Sequence, residues 1–281
     1  MRDPDDMSHL PHDIPGGEDY LVALYRLTEE QGRDITPEDL IHELGADPEE
    51  TAKVLEDLQY YEYLVLDEGF LELAFPGKWA AEDTISWHAG IAAFLAGVLK
   101  LPPQEACRNA ARIRNVIRRK AWDGITRYVA EHNLDRNFPE TKINFLFPSL
   151  VSTVEENGGY LFDLIYLELT EQKTPSVKGI SEAYGMSLDA TEEEARIMEK
   201  RGLLEKIGSD GVLTPTPRGL EMIYENALRH AEITAFLTDA LGLDEIEVQS
   251  NAWRWKFLMS EEAMQAIRDY LNERGIVAER W

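Results

Sequence analysis

The sequence predicts a mainly α-helical protein with small β wings, arranged as two tandem copies of a winged helix-turn-helix followed by a helical dimerisation-type domain. Apolar residues recur at helical spacing in both halves, and an alternating segment typical of a β-hairpin follows the third helix of each. The chain also matches itself, first at an offset of 140 residues and then at 142. The matched pairs include Tyr20 with Tyr160, Leu24 with Leu164, Gly45 with Gly185, Leu64 with Leu204, His88 with His230 and Phe94 with Phe236.

Composition places the chain among folded proteins. Its 281 residues are 44% apolar, and the single cysteine, Cys107, excludes an intrachain disulfide and a cysteine-based zinc site. No apolar run approaches the roughly 18 residues that span a bilayer, and the N-terminus is acidic and proline-containing rather than basic and then apolar. We therefore expect a cytoplasmic protein without a membrane partner.

The formal charge of −25 opposes binding to nucleic acid unless basic residues gather on one face. Adaptation to a salty cytoplasm is an alternative origin of this acidity, and the sequence does not separate the two explanations. The run ARIRNVIRRK holds the main basic cluster, which either forms a solvated or salt-bridged helix face or contacts nucleic acid or an acidic partner. Its members are Arg112, Arg114, Arg118, Arg119 and Lys120.

In the first copy, a helix over 18–31 is followed by a second that starts at Thr36-Pro37 and stops at Gly45. Asp47 caps a third helix that runs to about Tyr61, and a hairpin turning at Asp67-Glu68-Gly69 follows. In the second copy we expect the corresponding hairpin at 203–215. The predicted domains are an acidic tail (1–17), winged helix 1 (18–76), pairing domain 1 (77–134), a linker (135–157), winged helix 2 (158–218) and pairing domain 2 (219–281).

Five segments carry a resemblance to a known family. They are EDYLVALYRLTEEQG, DPEETAKVLEDLQYYEYL, LTPTPRGLEMIYENALRHAEITAFL, AARIRNVI and AWRWKFLMS. With these segments the chain resembles the diphtheria toxin repressor and manganese transport regulator family of iron-dependent repressors, as a degenerate tandem duplication. The resemblance implies metal-activated regulators that bind manganese or iron and pair through their C-terminal helices.

The ligand positions that the resemblance implies are largely substituted in both copies. The remnants are Asp19 and His88 in the first copy and His230 in the second. The other positions hold Val22, Ala111, Arg114 and Asn115 in the first copy, and Gly159, Phe162, Trp253, Lys256 and Phe257 in the second. We expect no cofactor and no metal, since manganese or iron is implied by the family alone. The hypothesis is that an Asp19–Arg114 ion pair near His88 fills the first site and that Phe162, Trp253 and Phe257 fill the second.

The predicted recognition helices carry more acid than base, although a helix-turn-helix gains much of its DNA affinity from lysine and arginine. The candidate DNA-binding residues are Pro48, Glu49, Glu50, Lys53, Asp189, Thr191, Glu193 and Arg196. The first functional reading is a metal-independent transcriptional regulator that binds double-stranded DNA. The alternative is an acidic module that binds a basic protein partner or another regulator. Catalytic motifs are missing from the sequence, so no enzyme is predicted. Pairing within the chain and homodimerisation both remain open.

Overall fold

The computed structural model describes residue 14 and residues 16–32, 34–114, 116–134 and 159–278. Over these ranges the protein is mainly helical, as the sequence predicts, and it contains one two-stranded antiparallel sheet where two hairpins were predicted. The predicted linker at 135–157 and most of the predicted N-terminal tail lie outside the described residues. No helix in the described part is both long enough and apolar enough to cross a membrane.

The chain divides into two units. The described residues of the first unit fall within 14–117 and 125–134, and those of the second within 118–124 and 159–278. This division differs from the predicted boundary at residue 134, because residues 118–124 belong to the second unit. Polar contacts of this segment to Asp244, Glu247 and Asn251 account for the assignment.

The first unit begins with three helices and a hairpin. Its elements are α1 (Gly17–Gln31), α2 (Pro37–Leu44), α3 (Pro48–Tyr60), β1 (Leu64–Asp67), β2 (Phe70–Leu73), α4 (Phe75–Leu99), α5 (Pro103–Ile113) and α6 (Arg119–Glu131), the last beginning in the residues assigned to the second unit. Thr36 and Asp39 form a capping box at the start of α2, and Asp47 accepts from the backbone N–H groups of Glu49 and Glu50 at the start of α3. The helix limits follow the predicted capping residues closely.

The hairpin pairs Leu64 with Leu73 and Asp67 with Phe70, which leaves Glu68 and Gly69 as a two-residue turn. Both turn residues have positive φ, 49° and 90°, as a tight hairpin turn with right-handed twist requires. The predicted first wing is therefore present. It is extended by a bridge between Ile35 and Leu71, in which the Leu71 N–H donates to the Ile35 carbonyl over 2.7 Å.

The second unit has the same order of helices. Its elements are α7 (Gly159–Thr170), α8 (Val177–Tyr184), α9 (Leu188–Lys200), α10 (Pro217–Leu241), α11 (Glu245–Leu258) and α12 (Glu261–Glu273). The predicted hairpin at 203–215 forms only isolated bridges, Leu204 with Pro215 and Ser176 with Val212. The Glu205 N–H donates to the Thr214 carbonyl and the Thr216 N–H to the Leu203 carbonyl, on either side of the bridge at Leu204 and Pro215. The glycine-containing turn from Gly208 to Gly211 is longer than that of β1 and β2, so the pairing stays this short.

One backbone contact recurs at the start of α4 and of α10. A Cβ added to Gly77 would lie 1.9 Å from the Tyr63 carbonyl oxygen, and a Cβ added to Gly219 would lie 1.9 Å from the Leu203 carbonyl oxygen. Only glycine allows the long helix to pass so close to the residue that precedes the hairpin segment. These contacts set the direction of each long helix relative to the three helices before it. They thereby position the candidate site.

Candidate functional site

The first candidate site lies where α1, α4 and the end of α5 meet. Asp19 is in the first turn of α1, and Arg114 is the residue that follows α5. The Arg114 Nη2 donates to the Asp19 Oδ1, and the two residues are only 4% and 6% exposed. The ion pair predicted from the sequence is thus formed, and it is almost completely removed from water.

The charges at this site are set by burial. Loss of hydration raises the pKa of Asp19 to about 6, against the attraction of the Arg114 guanidinium. Burial, together with the positive charges of Arg114 and Arg26, lowers the pKa of His88 to about 3. At neutral pH the site therefore combines an ionised Asp19, a charged Arg114 and a neutral His88.

The other expected ligand positions of the first site provide little for a metal. Val22 and Ala111 are buried and apolar, 1% and 3% exposed, and Asn115 lies outside the described residues. The Nδ1 of His88 has no hydrogen-bond partner in the described part of the chain, so this one nitrogen is available. One imidazole and a carboxylate already paired with a fixed cation do not fit a divalent metal ion.

The second candidate site contains a different buried ion pair. The Nζ of Lys256 lies 2.6 Å from Oδ1 and 2.5 Å from Oδ2 of Asp163, and Lys256 is 1% exposed. Burial lowers the pKa of Lys256, and the carboxylate of Asp163 opposes this shift. Lys256 corresponds to Arg114 at the offset of 142. Its acid, however, stands four residues beyond Gly159, the position that corresponds to Asp19.

Sequence reasoning missed Asp163, and the signal was a lone acid in the otherwise apolar start of α7, GYLFDLI. The predicted aromatic cluster was also wrong in one member. Trp253 lies 5.8 Å from Phe257 between ring centroids, as expected, but the ring stacked on Trp253 at 4.1 Å is that of Tyr160. Phe162 packs in the hydrophobic core of the second unit, because its position on α7 faces inward.

His230 lies beside this second ion pair on α10. Its Nε2 is 2.5 Å from the Gln249 Oε1, and burial lowers the pKa of the imidazole. Across the ranges that the structure describes, no three of the His, Cys, Asp and Glu side chains are close enough together to hold a metal ion.

The candidate DNA-binding residues are mostly exposed. Pro48, Glu49, Glu50 and Lys53 are exposed on α3, as are Asp189, Glu193 and Arg196 on α9. Arg196 lies 3.2 Å from Glu192 and 3.9 Å from Glu193, so its charge is partly compensated within its own helix.

Thr191 was wrongly predicted to face DNA. Its side chain is fully buried, and its hydroxyl donates to the Ser187 carbonyl over 3.0 Å. The corresponding Thr51 is also buried and lies 3.0 Å from the Tyr20 hydroxyl. Both threonines fall on the inward face of their helices, and the contact of Thr51 with Tyr20 ties α3 to α1.

The basic run after α5 is engaged by acids. Within the second unit, Lys120 lies 3.0 Å from Asp244, and Arg118 lies 3.7 Å from Glu247. Arg119 lies 3.2 Å from Asp123. With Arg114 buried against Asp19, these contacts favour the salt-bridged interpretation of the cluster over a free basic surface.

Part of the chain is similar to known proteins. Residues 216–275 match the family described as "Iron dependent repressor, metal binding and dimerisation domain". The chain is 32% identical over 124 residues to the diphtheria toxin repressor of Corynebacterium diphtheriae, covering 44% of this chain and 53% of the relative. It is 31% identical over 123 residues to the iron-dependent repressor IdeR of Mycobacterium tuberculosis, covering 44% of this chain and 51% of the relative. The chain thus spans about half the length of the curated relatives that it matches.

Proposed function

We propose, from the premise that this chain belongs to the diphtheria toxin repressor family, that it is a transcriptional regulator that binds double-stranded DNA without needing a metal ion. The relatives are named as repressors, and the chain is accordingly not an enzyme. The proposal includes the tandem duplication, the degenerate metal sites and the DNA-binding surface.

The observation that carries the proposal is the pair of buried cations, Arg114 and Lys256. Each stands where the family resemblance puts a metal-binding carboxylate, and each pairs with an aspartate of the first helix of its unit. A cationic side chain can tie the first helix to the pairing helices as a bound cation would. Since the cation is a side chain of the protein itself, the proposed DNA-competent geometry does not depend on a supply of metal ions.

The element order supports the tandem duplication. The third helix of each half has 13 residues and the long helix has 25. The glycine contacts of Gly77 and Gly219 are also alike. We propose two winged helices in one chain, paired either within the chain or between two chains.

The proposed DNA contacts are the exposed first turns of α3 and α9. Lys53, in the second turn of α3, and Arg196, in the third turn of α9, are exposed cations beyond these first turns, among several acids, so we expect weak affinity and few phosphate contacts. The acids themselves, together with the partial compensation of Arg196, favour a second candidate function, in which these helices bind a basic protein partner.

The proposal is tested by incubating the full chain with sheared genomic fragments from around its own gene, in chelator, over a salt series. We expect retention at low salt and a linear loss of log affinity with log salt concentration. Lys53→Glu should weaken retention and reduce the slope by about 1. Arg274→Glu, at the far end of the second unit, is the matched control and should leave both unchanged.

Absence of retention at the lowest salt would contradict DNA binding. The second candidate then predicts binding of an arginine-rich peptide that weakens when Glu49 and Glu50 are replaced by glutamine.

A further inference from the structure

The second unit contains an open cleft of about 550 Å³, lined by Tyr160, His230, Gln249, Ser250, Trp253 and Arg254. The last five of these residues lie on α10 and α11, within the part of the chain that matches the family domain. Cavities of this volume accommodate small organic molecules. The Lys256–Asp163 ion pair does not line the cleft, but His230, which does, lies beside that pair.

One wall of the cleft is aromatic. The rings of Tyr160 and Trp253 are stacked, with centroids 4.1 Å apart and an interplanar angle of 10°. Tyr160 is 49% exposed, so part of this ring is open to the cleft. The pair forms a flat apolar surface that suits a planar ligand.

The polar side chains of the cleft come from α10 and α11. Because an amide oxygen only accepts, His230 donates through Nε2 to the Gln249 Oε1. The indole Nε1 of Trp253 is buried and has no hydrogen-bond partner among the described residues. Because this nitrogen is not accessible from the cleft, the polar groups open to a ligand are those of Gln249, Ser250 and Arg254.

Arg254 supplies a positive charge. Its Nη1 donates to the Ser250 carbonyl over 2.7 Å and to the Ser250 hydroxyl over 2.6 Å, which fixes the guanidinium beside the Trp253 ring, 5.9 Å from its centroid. The remaining guanidinium N–H groups can bind a carboxylate in bidentate geometry. The nearby acids Glu247 and Asp163 already contact Arg118 and Lys256.

We propose that this cleft binds a small planar organic acid, an aryl carboxylate whose ring lies against Tyr160 and Trp253 and whose carboxylate pairs with Arg254. An aromatic wall and a fixed guanidinium together select for an anion with a flat apolar body. Binding of the organic acid does not depend on the proposed function. Its consequence rests on that function: the organic acid, and not a metal ion, would regulate the second unit.

The test is calorimetric titration of the full chain, without DNA, using indole-3-carboxylate as the probe and indole-3-carboxamide as its neutral match. We expect saturable binding of one carboxylate per chain with Kd of about 1 mM or tighter, and at least tenfold weaker binding of the carboxamide. Arg254→Gln should weaken carboxylate binding at least tenfold, and Arg254→Lys should lie between Arg254→Gln and the unaltered chain. Arg274→Gln, an exposed arginine of the same unit, is the control.

A second readout is the indole N–H resonance of Trp253 in ¹⁵N-labelled protein, assigned with Trp253→Phe, which should shift on titration. Equal binding of acid and amide, equal binding of sulfate, no saturation, or an unchanged affinity in a folded Arg254→Gln variant would each overturn the proposal. Since binding is read without DNA and DNA retention is read without probe, failure of one proposal is distinguishable from failure of the other.

Discussion

Arg114 and Lys256 have a stabilising effect only while their acids are present. Taking a guanidinium or ammonium group out of water costs several kcal/mol, and the adjacent carboxylate offsets this cost. Lys256 is 1% exposed and Arg114 4%, so neither cation can turn to solvent without disturbing the core around it. Removing one member of either buried ion pair should therefore cost more stability than removing one member of a surface ion pair.

A double-mutant cycle at Asp19 and Arg114 measures this dependence. Arg114→Met leaves an unpaired buried carboxylate and should reduce the free energy of unfolding by about 3 to 5 kcal/mol. Asp19→Leu combined with Arg114→Met removes both charges and should recover much of that loss. Chemical denaturation provides the values, and additive effects of the two substitutions would argue against a buried pair.

His88 gives the first site a pH dependence. Its pKa in the folded chain, about 3, is below the ordinary value of 6.5, so the unfolded chain binds the proton first as the pH falls. The free energy of unfolding therefore decreases as the pH falls below 6.5 and continues to decrease until about pH 3. Asp19 acts in the opposite direction between about pH 6 and 3.8, because its raised pKa lets the folded chain bind the proton first.

Replacing His88 by glutamine isolates the histidine contribution. Between pH 7.5 and 4.5 the variant should lose about 2 to 3 kcal/mol less stability than the unaltered chain, since each pH unit of unequal proton binding contributes about 1.4 kcal/mol. The measurement is a series of denaturation curves over this range, with the exposed His42→Gln as control. Parallel pH profiles for His88→Gln and the unaltered chain would contradict the burial of a neutral imidazole.

At the scale of elements, the long helices depend on two glycines. Replacing a helical glycine by alanine usually stabilises a helix by up to about 1 kcal/mol. At Gly77 and Gly219 the sign should reverse, because the new Cβ would lie 1.9 Å from a backbone carbonyl oxygen. We expect each alanine variant to lose several kcal/mol of stability, or to fail to fold.

Gly124 is the matched control, since it lies inside α6 and a Cβ there would be at least 3.6 Å from its neighbours. Gly124→Ala should be neutral or slightly stabilising. Thermal unfolding of the three variants checks the set, and equal effects at Gly77, Gly124 and Gly219 would refute the close approach.

Local sequence signals predicted the elements better than the contacts between them. Thr36, Gly45 and Asp47 mark helix ends through bonds to their own neighbours, and the Glu68-Gly69 turn needs only positive φ. The length of the second hairpin was overestimated because alternation of apolar and polar residues does not reveal the longer turn from Gly208 to Gly211. Asp163 was missed because its partner, Lys256, is 93 residues away, and an offset comparison looks for an acid at the same position rather than one helical turn later.

At the scale of the whole molecule, the net charge is −25, and cations of the basic run at 112–120 are paired with acids. The proposed DNA binding therefore depends on where the other lysines and arginines lie. Arg118 and Lys120 contact acids of the second unit, and Arg196 is next to two glutamates. The charges of these three cations are thus partly compensated before any phosphate is bound. If the chain binds DNA as proposed, its salt slope should be shallow, corresponding to a small number of displaced counterions.

The central claim is that cationic side chains have replaced the family metal ion in both units. A variant that restores family-like ligands in the first site, Val22→Glu with Ala111→Glu, Arg114→Glu and Asn115→His, serves as the positive control. It should gain affinity for manganese, because four substitutions replace apolar, cationic and amide groups by oxygen and nitrogen ligands.

The deciding measurement is calorimetric titration of the full, unaltered chain with manganese and, without oxygen, with iron(II). The account predicts no saturable binding at micromolar concentrations of either ion. Tight binding at one ion per unit would contradict it.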